Sequence, residues 1–303
     1  MITKATVEDL TKQLGIPTFG IAPWPLPADA AQVLHTDDPC PFIAGTPEER
    51  LTGNTKLTDA KSAIVCLFPY YIPHEGPINL PRYAWGKDYH LVVHEYLDRL
   101  GQALQAIAPS VAYEIHCDTS PLADRYMGYL AGLGVFGRNR ALINPTWGSY
   151  TSIGTLLTNI DLPAATPLTG TCDECNRCRT HCPGQSLNDE DFHYHTCKSY
   201  LTQKKGDLTE SEIAIIGAAP LIFGCDICQE VCPHNQNVPE TPIPEFRENL
   251  TIHINREDIE PLTNKEFKAA YGHRAYAWRG KKVLLRNLEY TIVKLVEGPL
   301  KSR

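Results

Sequence analysis

The chain has 303 residues, 43% of them hydrophobic, with 28 basic against 35 acidic side chains and a net charge of -7. That length holds one large domain or two ordinary ones, with enough apolar content for a real core. The acidic balance excludes a surface that coats nucleic acid broadly, though not a local basic patch. No apolar stretch approaches the ~20 residues that span a bilayer, and no solenoid repeat or low-complexity segment is present.

In chain order, Thr3 to Leu14 has helical spacing, with Val7, Leu10 and Leu14 on one side. Gly15 to Trp24 reads as a turn into a short strand, and the prolines from Pro23 to Pro47 make the next stretch loop-rich. Lys61 to Phe68 is an apolar run ended by Pro69, the pattern of a buried strand. Tyr89 to Ala106 is a long amphipathic helix with Val92, Val93, Tyr96, Leu97, Leu100 and Leu104 inward. Val111 to Cys117 follows as a strand, and Pro121 to Leu133 as a helix with Gly134 near its stop. Ala141 to Asn144 and Ser152 to Thr158 read as strands. This alternation gives residues 1–165 a mixed α/β (α+β) class. Residues 166–240 form a ferredoxin-like unit dominated by cluster-bound loops, with a helix at Thr209 to Ile216. After a Pro-rich link, residues 241–303 are helical, including Asn264 to Tyr271 and Gly280 to Val296.

Eight of the eleven cysteines lie between Cys172 and Cys232. The first run is Cys172-x2-Cys175-x2-Cys178-x3-Cys182-Pro183; the second is Cys197 and then Cys225-x2-Cys228-x3-Cys232-Pro233. This is the spacing of a bacterial two-cluster ferredoxin, in which the fourth cysteine of each run ligates the other run's cluster. It assigns Cys172, Cys175, Cys178 and Cys232 to one [4Fe–4S] cluster and Cys182, Cys197, Cys225 and Cys228 to the other. Zinc also takes four cysteines, usually as separated C-x2-C pairs; the third cysteine and the closing C-P of both runs favour iron–sulfur. Disulfides are disfavoured, because the first ten residues lack a signal-peptide pattern and thiols stay free in a reducing compartment. A cytoplasmic protein that moves single electrons is the expectation. Cys66 reads as a core residue of its strand.

Three N-terminal segments narrow this further: Arg82-Tyr-Ala-Trp-Gly-Lys-Asp-Tyr-His90, Cys117-Asp-Thr-Ser-Pro-Leu-Ala-Asp124, and Gly132-Leu-Gly-Val-Phe-Gly-Arg-Asn139 leading to Asn144-Pro-Thr-Trp-Gly-Ser149. With Phe223-Gly-Cys-Asp-Ile-Cys-Gln-Glu-Val-Cys-Pro233, they closely resemble epoxyqueuosine reductase, from about Phe19 to Asn287. The resemblance implies a cobalamin, bound base-off, above a reductive site fed by two [4Fe–4S] clusters. It implies reduction of the epoxide of epoxyqueuosine at the tRNA wobble position to queuosine, with two electrons and two protons and loss of water. The expected partners are epoxyqueuosine-bearing tRNA and an external low-potential electron donor, with no membrane and a monomeric chain. Many members continue into a C-terminal helical-repeat domain that grips tRNA; this chain stops at Arg303, so a short form is expected. The rival readings are a corrinoid reductase acting on an organohalide or small epoxide, and a ferredoxin-like electron carrier.

Asp118 stands where the family has the aspartate thought to protonate the opening epoxide. Burial away from cations would keep its proton near neutral pH. The alternative is that Asp118 caps a helix starting near Pro121. Asp124 is the second carboxylate, read as a solvated helix residue. The resemblance implies cofactor or substrate contacts for Tyr83, His90, Gly134, Gly137, Arg138, Asn139, Trp147 and Ser149. Against it, Tyr83 to His90 reads as a loop feeding a helix with Asp88 as N-cap, and the glycines read as turns. Gly132-x-Gly134-x-x-Gly137 follows a helix rather than a strand, so it lacks the Rossmann context. His116 is discounted as a cobalt ligand. Between His273 and Arg286 lie Arg274, Arg279, Lys281, Lys282 and Arg286 with Tyr276 and Trp278 and no acid. That mixture suits RNA contact or a solvated helix face with a core tryptophan.

Overall fold

In the computed structural model, residues 2–187 and 192–296 are described, with side chains as far as 291. The last part of the expected 241–303 segment, 297–303, and residues 188–191 of the cysteine region lie outside them.

The first helix, α1 (Lys4–Leu14), starts at Thr3, whose hydroxyl accepts from the Thr6 amide, and stops at Gly15. Strand β1 (Thr18–Pro23) leads into the proline-rich stretch. There the chain forms two short helices where only loop is expected, α2 (Ala30–Leu34) and α3 (Pro47–Thr52). The second has a legible signal, Thr46-Pro47-Glu48-Glu49, a reciprocal cap with proline in the first turn. Strand β2 (Ser62–Pro69) is buried throughout. Helix α4 (Tyr89–Ile107), strand β3 (Tyr113–His116), helix α5 (Asp124–Leu130), the small hairpin β4 (Val135–Phe136) and β5 (Leu142–Ile143), and strand β6 (Thr151–Thr158) complete this half. The order is β1-β2-β6-β3, and every neighbouring pair is antiparallel.

The alternation of β2 explains its burial. Ile64, Cys66 and Phe68 face α4, packing with Val92, Val93 and Leu97. Ala63, Val65 and Leu67 face α5, packing with Tyr126, Met127 and Leu130. A sheet covered on both faces reads as a continuous apolar run. All six inward residues expected on α4 are buried.

Helix α5 is shorter than the expected Pro121–Leu133. Its start moves to Asp124 because Asp118 turns into the left-handed region (φ 53) and donates its amide to Asp124 Oδ2 at 2.9 Å. The intervening residues are thereby held in a loop. At the far end the chain leaves the helix at Ala131 and Gly132 takes φ 70, so Gly132 rather than Gly134 is the stop.

Among its described residues the cysteine region holds only one- and two-turn α-helices, α6 (Arg177–Thr180), α7 (Lys198–Leu201), α8 (Glu210–Ile216) and α9 (Ile227–Glu230). The C-terminal part holds α10 (Arg256–Ile259), α11 (Asn264–Tyr271) and α12 (Lys281–Val296). Their expected positions hold closely because Thr209 and Thr263 close capping boxes. A third core joins all three parts: Leu80 and Trp85, then Ile222 and Phe223, then Ile259, Phe267, Tyr276 and Leu284. Asn287 fastens the last part to the middle, donating from Nδ2 to the Thr202 and Ile222 carbonyls at 2.7 and 2.8 Å.

Gly148 lies at the seam between the sheet half and the cysteine region, with φ 57, bridged to Asn144. A Cβ there would run into Asn235 Oδ1, which accepts from the Ser149 amide at 2.8 Å. Gly148→Ala is therefore expected to destabilise the chain by about 1–3 kcal/mol. Urea denaturation checks this; an unchanged midpoint would show that the seam yields freely.

Candidate active site

The eight clustered cysteines come together as two groups. Cys172, Cys175, Cys178 and Cys232 line one cavity with Gly137, Arg138 and Asn139. Burial raises the Cys232 thiol, and Cys175, Cys178 and Cys172 add to the rise. In the second group burial lifts Cys228 well above the ordinary thiol range, with Cys225, Cys197 and Cys182 contributing. Thiols pushed up in this way stay neutral until a metal displaces their protons. The first group is the more open: Cys175 is exposed and Cys172 and Cys178 half-buried. Burial also pushes Cys225, in the second group, up to about 12.

Tyrosines connect the second group to the sheet half. Tyr83 packs 6.1 Å from both Phe223 and Tyr89 and 6.4 Å from Tyr70. Tyr70 in turn donates to Gln229 Oε1 at 3.4 Å, one turn from Cys225 and beside Cys228. Beyond Tyr89 lies Asp118. Its Oδ2 accepts from Tyr89 Oη at 2.7 Å and lies 3.1 Å from His90 Nε2. The other ring nitrogen of His90 is 2.7 Å from Asp88 Oδ1, and Asp88 caps α4 by accepting from the His90 amide.

Desolvation opposes the charge on His90, but Asp118 and Asp88 outweigh it and raise the imidazole to about 9. Desolvation likewise opposes the charge on Asp118, but His90, Tyr89 and Arg125 hold that carboxyl below the ordinary range. This corrects the expectation of an acid kept protonated away from cations. The Asp118 side chain is 60% accessible. The capping alternative also falls, since Ala123 occupies the N-cap of α5.

Asp124 is not a solvated helix residue. Burial, then the charge of Asp118, pushes it up to about 7. Its Oδ1 is buried without a partner, as are Ser120 Oγ and Arg50 Nε nearby. Arg50 and Arg125 both lie within electrostatic reach of Asp124. Sequence reasoning missed Ser120 and Arg125 as site residues; the only local signal was their place beside Asp118.

The expected cofactor residues divide. Tyr83 and His90 are in the Asp118 neighbourhood. Gly137, Arg138 and Asn139 line the first thiol cavity, with Arg138 bonded to Asn176 and Glu174 and Asn139 Nδ2 donating to the Cys228 carbonyl at 3.4 Å. Gly134 lies where a Cβ would strike the Ile143 carbonyl, so it serves the β4–β5 hairpin. Trp147 donates to Thr18 Oγ1 at 2.9 Å. Ser149 is buried at the seam, 3.0 Å from Gln229 Oε1. His116 is buried near Glu114 and kept neutral by burial. The basic stretch is largely structural: Arg274 is buried and donates to the Trp85 and Asn249 carbonyls, Lys281 to those of Glu260 and Leu262, and Arg286 to those of Lys204 and Gly206. Tyr276 is fully buried, whereas Trp278 is 53% exposed with the Arg279 guanidinium stacked 3.7 Å from its ring. Among the described residues no helix is long and apolar enough to cross a membrane.

Fold and cysteine pattern together define an iron–sulfur protein of mixed α/β architecture. Residues 171–235 match the family model "4Fe-4S double cluster binding domain", and residues 50–119 match "Epoxyqueuosine reductase QueG, DUF1730". An epoxyqueuosine reductase of Lactococcus garvieae is 34% identical over 256 residues, covering 81% of this chain and 72% of that one. One from Staphylococcus aureus is 36% identical over 207 residues, 68% of this chain, and the match spans only 54% of its length. A crystal structure of epoxyqueuosine reductase with an epoxyqueuosine-modified tRNA-Tyr stem loop superposes with a TM-score of 0.83 at 26% identity, covering 95% of this chain and 80% of that one. The chain belongs to the epoxyqueuosine reductase family.

Asp124 generates a pH prediction. Folded, it keeps its proton to about pH 7; unfolded, it loses it near pH 4. As pH rises the unfolded chain sheds the proton first, so stability falls between about pH 4 and 7 and levels off above. Asp124→Asn is expected to flatten that slope in chemical denaturation at stepped pH; an unaltered slope would mean that Asp124 titrates normally.

Proposed function

We propose that this chain reduces the epoxide of epoxyqueuosine in tRNA to queuosine, with Asp118 as proton donor. The observation that carries this reading is the joining of Asp118, Tyr89 and His90 to the second thiol group through Tyr83. A reductive site needs electrons and protons at one place, and this arrangement supplies both.

In this reading Cys172, Cys175, Cys178 and Cys232 hold one [4Fe–4S] cluster and Cys182, Cys197, Cys225 and Cys228 the other. When bound, the two clusters would carry single electrons from an external low-potential donor, the first group of thiols being the more exposed. The residues near Asp118 fit a cobalamin, because unpartnered buried polar atoms are costly unless a ligand or water satisfies them. Arg50 Nε, Ser120 Oγ and Asp124 Oδ1 are such atoms, and the amide fringe of a corrin offers both donors and acceptors. Arg50 and Ser120 would hold it together with Tyr83 and His90. When bound, cobalamin supplies a reduced metal centre able to deliver electrons to the epoxide. Trp278, Arg279 and Lys282 are what the basic stretch still offers to RNA. We place the protein in the reducing cytoplasm, acting as a monomer.

The test is anaerobic turnover of epoxyqueuosine-containing tRNA by protein with reconstituted clusters, added cobalamin and a strong reductant, read by nucleoside mass analysis. Queuosine is the expected product. Asp118→Asn should cut turnover at least 100-fold while the iron content stays at about eight per chain and the corrin remains bound. An unreacted epoxide with fully loaded protein would reject the reading.

A further inference from the structure

A proton donor must carry a proton when the bond breaks, yet the surroundings of Asp118 favour its ionised form. The structure puts a second proton carrier against it. The His90 ring lies between two carboxylates, Asp88 at 2.7 Å from Nδ1 and Asp118 at 3.1 Å from Nε2. It is fixed from two further directions. Its ring stacks on Tyr89 at 4.1 Å, and its amide donates to the same Asp88 carboxylate at 3.0 Å. One edge of the ring stays in contact with solvent, its side chain being 33% accessible. We propose that His90, held by Asp88, is the relay that reloads Asp118 with protons during turnover.

This rests on the reading of Asp118 as proton donor. As an epoxide C–O bond breaks, the oxygen takes the proton from Asp118 Oδ2. Asp118 takes one from His90 Nε2, and His90 regains one from solvent while Nδ1 keeps its hydrogen on Asp88. Two passages deliver the two protons with which the oxygen leaves as water. The two electrons would be supplied by the external low-potential donor. The ionisable groups facing the pair are Asp88 and Tyr89 on α4, Asp124 and Arg125 on α5, and Tyr83 on the turn before α4. His90 holds its proton up to about pH 9, so turnover falls as pH rises through that value.

The first experiment needs neither cofactor nor substrate. In histidine-labelled protein, NMR titration should find the His90 ring near 9 and find it lowered in Asp118→Asn and in Asp88→Asn. A ring that titrates near the ordinary histidine value of about 6.5 would overturn the relay. The second is turnover of His90→Gln, whose amide can still donate to Asp118 but cannot pass a proton. A relay predicts a loss of about 100-fold or more at unchanged KM and iron content, with partial rescue of His90→Ala, but not of Asp118→Asn, by added imidazole. His90→Gln working at the wild-type rate would reduce His90 to positioning and sink the proposal. If His90 titrates high but the wild-type protein leaves epoxyqueuosine tRNA unreacted, the substrate reading fails and the proton pair stands.

Discussion

Everything at this site depends on how the sheet half is fastened to the cysteine region, and the fastening is a buried arginine. Arg82 is 8% exposed. Its amide donates to Asp226 Oδ2 at 2.6 Å, and its guanidinium donates to Glu230 Oε1 at 2.7 Å. The same guanidinium lies over the rings of Trp85, Tyr71 and Tyr150. A buried charge of this kind depends on its partners, and removing one strands the other; Nε of the guanidinium is itself buried without a hydrogen-bond partner. Both acids belong to the second cysteine run, Asp226 between Cys225 and Cys228. Locking Arg82 therefore places the next residue, Tyr83, against Phe223 and Gly224, and from there against Tyr89.

The consequence is a site built at a seam. Tyr70 is anchored by the sheet and Tyr89 by the start of α4, while the buried thiols come from loops that have little regular structure of their own. Polar residues close the gap. Ser149, Gln229 and Asn235 satisfy one another across it, and Gly148 lets the backbones approach. The charge distribution on the sheet side follows from the same packing. Three carboxylates and one imidazole share a small volume beside two arginines, so the charges of Asp118 and Asp88 raise His90 and that of Asp118 helps to raise Asp124. Asp118 and His90 share one ion pair, and Asp124, left outside it, keeps its proton to near neutrality.

Features governed by neighbours in the chain were legible from the residues. The apolar face of α4, the capped helices α8 and α11, and the cysteine spacing each rest on a period or a pair a few residues apart. The segments 82–90, 117–124 and 223–233 likewise pointed to the right family, because a motif is a local record of a site. Failures came where distant partners intervene. Pro121 to Leu133 has helical character throughout, but Asp118 takes a left-handed turn and claims Asp124, so the helix begins late. The basic stretch looked like an RNA surface because nothing nearby neutralises it. Three of its five cations, Arg274, Lys281 and Arg286, are spent on backbone carbonyls, as with Arg274 on Trp85 189 positions away.

Thus the linear pattern was sufficient for the mixed α/β class and the two-cluster character, both of which depend on residue type and short spacing. Packing alone could set the antiparallel pairing of four strands whose partners lie far apart, and the placing of Gly137, Arg138 and Asn139 against the first thiol group. It also set the protonation of the site. A carboxylate's pKa is the sum of its surroundings, and those of Asp118 are contributed by α4 and α5, elements brought to it by the fold.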